Sequence, residues 1–129
     1  MHRELIISII IVVFILGIDY MTQKYTDNAI NETIKKLSTI RDGIKQGDVN
    51  KERVSDDINK LYNEWLQRHN KLAFFIEHNE LEKVETNFVT GKSFIEIEKF
   101  EEAVPEIEKT IYVLKHINEK YSVDLKNIF

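Results

Sequence analysis

Cysteine is absent from this 129-residue chain, and proline occurs once. The first absence excludes a disulfide framework, a thiol nucleophile and any cysteine-ligated zinc site. The second, together with only four glycines, leaves few places where a helix must break, so long helices are the expectation. Clusters of lysine or arginine are missing too. Between Glu77 and Glu108 ten carboxylates face three lysines, Lys83, Lys92 and Lys99. So acidic a stretch repels a phosphate backbone, and with no basic cluster to offset it nucleic acid is not an expected partner.

Recognisable site chemistry is equally scarce. Thr90-Gly91-Lys92-Ser93 ends like a phosphate-binding loop but lacks the first glycine and the preceding strand that such a loop needs. There is no Gly-x-Ser-x-Gly elbow to present a nucleophilic serine. Four histidines are present: His2, His69, His78 and His116. Bundles that hold two metal ions use Glu-x-x-His on two helices, yet Leu66, Phe75 and Val113 stand three residues before the last three histidines. His78 with Glu82 and His116 with Glu119 have helical spacing only. A histidine near a helix end, bonding a free carbonyl or meeting the dipole, is the simpler account. No catalytic residue, no metal site and no cofactor is expected, and the chain does not read as an enzyme.

What the sequence does have is an apolar opening. Leu5 to Ile18 is interrupted only by Ser8 and Gly17. Its twelve Leu, Ile, Val and Phe residues favour insertion into a bilayer by roughly 4–7 kcal/mol in total. As a helix the run covers roughly 21 Å, short of a hydrocarbon core of about 30 Å, and that length also suits a signal peptide. Two features favour a retained anchor. Ile18-Asp19-Tyr20-Met21 offers no small-x-small cleavage site. His2 and Arg3 can snorkel at one interface, while Tyr20 and Met21 extend the apolar side toward the other. Residues 1–21 are therefore read as an uncleaved signal-anchor, with Leu5, Ile10, Phe14 and Ile18 facing lipid, and 22–129 as a helical domain. The slight basic bias of Arg3 and the amino terminus puts the N-terminus in the cytoplasm and the domain outside a single-pass cell-membrane span.

The domain reads as four amphipathic helices. Ile30, Ile34, Leu37, Ile40 and Ile44 recur at steps of three and four on a helix that continues from the span and ends at a Gly47-Asp48 turn. Asn50 is the expected N-cap of a second helix, with Val54, Ile58, Leu61, Trp65, Leu72 and Ile76 as its stripe. Leu66 and Ala73-Phe74-Phe75 widen its apolar arc, which predicts that the later half is the more buried. Asn79 with Glu82 forms a capping-box pattern for a third helix carrying Leu81, Val84, Phe88 and Ile95, with Gly91 as a kink or early end. A turn near Lys99 opens a fourth helix, with Glu101, Glu102 and Pro105 expected in its first turn. Val104, Ile107, Ile111, Leu114 and Ile117 form its stripe, extended by Tyr121 and Leu125. The fold class is all-α: an N-terminal transmembrane helix followed by an antiparallel four-helix bundle of two helical hairpins.

Length, opening span, Trp65, the tract Phe75-Ile76-Glu77-His78-Asn79-Glu80, His116-Ile117 and the ending Asn127-Ile128-Phe129 resemble a family of short bacterial membrane proteins catalogued as domain of unknown function 4363. The resemblance implies a bacterial source, a single span and a helical domain. It carries no activity, and so no catalytic residue.

Function is accordingly expected to lie in contacts. The leading reading is a non-enzymatic accessory tethered to the membrane, which binds an unidentified protein partner outside it. The alternative is an extracytoplasmic small-ligand-binding or sensory domain, with Trp65, Phe74, Phe75 and Phe88 around the ligand and signalling through a partner. Trp65 shares the register of Ile58 and Leu61, which favours the core over a pocket. The acidic stretch is read as a solvated face, against a docking surface for a basic partner or a repeller of anionic lipid. The first helix's spacing would also suit a coiled-coil seam in a homo-oligomer, a use that competes with packing inside the bundle.

Overall fold

The structure is a computed structural model that describes residues 2–47 and 49–128, with side chains through Tyr121. Four helices make up nearly all of it: α1 (His2–Lys45), α2 (Lys51–Leu72), α3 (His78–Glu96) and α4 (Phe100–Ile128). No strand occurs among the described residues. The all-α antiparallel bundle is as expected; Asp48 and the side chain of Leu125 lie outside the described residues.

α1 is one uninterrupted helix of 44 residues, roughly 66 Å long at 1.5 Å per residue. Nothing between Asp19 and Gly43 forces a break, so the apolar opening and the first bundle helix are a single rod. Gly47 ends it with φ 79°, a left-handed conformation that suits glycine, and its N–H donates to the Ile44 carbonyl at 3.1 Å. Asn50 then caps α2 as anticipated, its side-chain oxygen accepting from the Arg53 N–H at 3.3 Å.

The helices stand at the corners of a square: α1 packs on α2 and α4, and α3 on α2 and α4, while the diagonal pairs do not meet. Contact is closest along α3–α4 and α1–α4. Small residues explain this. Gly91 of α3 is buried where an added Cβ would lie 3.4 Å from Glu106 Cβ and 3.6 Å from Ile107 Cγ1. Ala103 and Thr110 on α4, and Ala29 and Thr33 on α1, are also buried. Both threonine hydroxyls donate to the carbonyl four residues back at 2.8 Å, which satisfies them without a partner helix. Large rings hold α2 farther out. Trp65 fills the core, and the Tyr62 and Phe88 rings meet at 5.3 Å between α2 and α3. Ile30, Leu37, Ile58, Leu81, Ile107, Leu114 and Ile117 complete one continuous core.

Four local expectations are corrected. α2 ends at Leu72, so Ala73-Phe74-Phe75 is an exposed turn rather than the buried end of a helix, and only Ile76 returns inward. α3 begins at His78 with Glu77 in the cap position and no side-chain cap bond, so the Asn79–Glu82 box is not used. Tyr121 serves that end instead: its hydroxyl accepts from the Glu77 N–H at 2.9 Å. Pro105 lies in the second turn of α4, one turn later than expected, and deprives the Glu101 carbonyl of its helical donor at an exposed position. Gly91 neither kinks nor ends α3; it lets α4 approach.

α3 is closed by a Schellman-type turn. Lys99 N–H donates to the Phe94 carbonyl at 2.8 Å and Glu98 N–H to that of Ile95 at 3.0 Å. Glu98 occupies the left-handed position, φ 64°, where glycine is usual.

Candidate functional site

From Leu5 to Ile18 no side chain is buried: Leu5 is 60% exposed, Ile10 60%, Phe14 69% and Ile18 48%. The run is apolar on every face, so no single stripe could be hidden against a neighbour. Ser8 donates its hydroxyl to the Glu4 carbonyl at 2.9 Å, which removes the run's only side-chain hydrogen-bonding group from competition with water. The helix is long and apolar enough to cross a membrane.

The rod emerges from one end of the bundle, and the antiparallel order decides what surrounds it. The α1–α2 and α3–α4 corners lie together at the far end, where Lys51 pairs with Glu98. The α2–α3 corner lies at the near end. There Met21, Thr22 and Tyr25 of α1 line a shallow recess with Lys71, Phe74 and Phe75. Phe74 is 84% exposed and Phe75 42%, while the Lys71 ammonium sits 5.6 Å from the Tyr25 ring centre.

The four aromatic candidates therefore separate into two pairs. Trp65 and Phe88 are 1% and 2% exposed, their surfaces used by the core. The Trp65 ring meets His69 edge-on at 6.4 Å, and its indole N–H has no acceptor among the described residues. Phe74 and Phe75 are on the surface at the near end. No shared pocket gathers all four. His78 and Glu82 stand 3.9 Å apart in the open, and no group of three or more His, Asp or Glu among the described residues is placed to hold a metal.

A groove runs between α1 and α2, lined mostly by charged residues. Arg68 joins α2 to α1, donating to the Ala29 carbonyl at 3.1 Å and to Glu32, which lines the groove, at 2.7 Å. Lys36 bridges Glu32 at 3.1 Å and Glu64 at 2.8 Å. Hydrogen bonds from Arg68 and then Lys36 hold the Glu32 carboxyl below its ordinary range, and Glu64 holds the Lys36 ammonium above its own. Glu32, Lys36 and Glu64 are thus occupied with one another, while Lys35, Asp57 and Lys60 line the groove without an ion pair among the described residues.

The acidic stretch is treated the same way. Lys45 reaches Glu108 at 2.8 Å, Lys51 pairs with Glu98, and Lys120 contacts Glu80 at 3.2 Å and Glu77 at 3.8 Å. All three lysines lie outside Glu77–Glu108 in sequence. The surface is less acidic than the segment, and no sequence signal marked these partners, because each is supplied by the tertiary arrangement.

Residues 20–128 match the model of the family described as Domain of unknown function (DUF4363). The chain belongs to that family. The matched region begins just beyond the apolar run and takes in the whole bundle, as the resemblance of its tracts implied. No curated protein and no solved structure matches the chain.

Proposed function

We propose that this DUF4363 member is a non-enzymatic accessory: a helical bundle held at the cell membrane by residues 5–18, N-terminus inside, which acts through protein contacts outside. The observation that carries the reading is the exposed apolar rod continuous with a filled bundle. A rod with no apolar partner costs free energy in water, at about 25 cal/mol per Å² of apolar surface left exposed, and lipid removes that cost. The filled core supports contact over catalysis, since Trp65 and Phe88 are committed to packing. Tethering confines the search for a co-resident partner to a thin layer and so raises its effective concentration.

Washing native membranes with alkaline carbonate, then taking the intact mass of the retained protein, tests the anchor. Full-length protein in the pellet is expected; a shortened soluble product overturns it. Photocrosslinking from the bundle surface in intact cells tests the partner, and repeated recovery of no protein neighbour would count against this reading.

A further inference from the structure

The two ends of the bundle are not alike. At the far end the exposed corner is Ile97-Glu98-Lys99, one apolar residue beside two charges. At the near end the corner presents two adjacent phenylalanines, Phe74 being the most exposed large apolar residue among those described. Bulky rings at a corner are expensive in water unless something covers them.

Their placement says what does. The corner is anchored on both sides by buried residues, Leu72 and Ile76, so the rings are held outward by a packed base. They stand beside Met21, Thr22 and Tyr25, within about two helical turns of the end of the apolar run at Ile18. Tyr20 and Met21, also exposed, continue that surface. The run itself falls short of a bilayer core by roughly 9 Å. A second apolar element at the level of residues 20–25 supplies surface where the run stops. Lys71 beside it and Tyr25 beneath its ammonium are the pair of residue types that suit the headgroup layer. Glu77, the nearest carboxylate in sequence, is engaged by Lys120 at 3.8 Å, which lessens its repulsion from anionic lipid.

We propose that the α2–α3 corner, through Phe74 and Phe75, inserts into the interfacial layer of the bilayer next to the point where α1 leaves it. The bundle is then held to lipid at two places and cannot swing freely about α1. The inference rests on the anchoring reading, and its test separates the two.

The chain has no cysteine, so single cysteines can be introduced cleanly. An environment-sensitive dye is placed at Val12, Phe74 or Ile97 of the full chain, reconstituted in phosphatidylcholine–phosphatidylglycerol vesicles that carry a shallow lipid-borne quencher or a deep one. The dye at 12 should be blue-shifted and quenched most by the deep label. At 74 it should lose most of its emission to the shallow label, and at 97 it should lose none. A dye at 74 that behaves like the one at 97, with 12 still quenched, overturns the proposal and leaves the anchor standing. Absence of quenching at 12 overturns both. A dye at Asn70, a polar exposed position on the last turn of α2, guards against a probe that inserts by itself. It should report interfacial depth and lose that quenching when Phe74→Asp and Phe75→Asp are combined; indifference to the double substitution also overturns the proposal.

Discussion

The two halves of α1 are one helix in two environments. Before residue 20 its large apolar side chains are exposed on every face; from Thr26 to Ile44 only one stripe is buried, and that stripe is spent against α2 and α4. The difference teaches that apolar content alone does not place a residue in a core. A stripe can be covered by two neighbouring helices, whereas a cylinder apolar all round needs a surrounding solvent of its own kind. The bundle supplies the first kind of cover. Lipid is the natural source of the second.

The sharpest way to break the comparison is to damage each half separately. Trp65→Ala should cost about 3–5 kcal/mol of bundle stability, measured by denaturant unfolding of the full chain in detergent, with membrane retention unchanged. Trp65→Phe should cost far less, since the unpaired indole donor is removed with the ring. Ile10→Arg should do the reverse, penalising insertion by about 3–4 kcal/mol while the bundle's melting temperature stays fixed. If Trp65→Ala released the protein from the membrane, or Ile10→Arg melted the bundle, the two halves would not be the independent units described.

Smaller changes sharpen the picture within the bundle. Gly91→Leu should overpack the closest seam and cost about 1–3 kcal/mol, visible as a lower unfolding midpoint. Conversely, Glu98→Gly should stabilise by up to about 1 kcal/mol, because the left-handed corner ceases to strain a side chain while only an exposed ion pair with Lys51 is lost.

The smallest effect is expected from pH. Glu32 and Glu108 have carboxyl groups held below the ordinary 4.5 by Arg68 and Lys45 respectively. Their stabilisation is complete above that value and lost as pH falls through their lowered folded values. Lys36 and Lys120, held above 10.5 by Glu64 and Glu80, contribute below that value and lose it as pH rises past their raised folded values. Melting temperature should therefore be flat between these limits and fall outside them, less so in high salt because the pairs are exposed. A dependence centred near neutrality would point to histidine instead.

Much of this architecture could be read in advance, and the misses have a common cause. Stripes such as Ile58-Leu61-Trp65 and signals such as Asn50 and Gly47 act over one or two turns, so they survive without knowledge of the fold. Phe74 and Phe75 depart from the expected burial because an apolar pair next to a helix end has the same local pattern whether it faces a core or the surface. Ala29, Thr33, Ala103 and Thr110 escaped because small side chains carry little hydrophobic signal, although they set how closely α4 approaches its neighbours.

The sequence by itself determined the helices, the continuous rod and the apolar run, because each depends on residues near one another in the chain. Only the tertiary structure decided which lysines would temper the acidic segment and which corner would share an end with the rod. Those outcomes depend on antiparallel order, which brings Lys120 to Glu80 and Phe74 to Met21 across distances the chain's local chemistry does not encode.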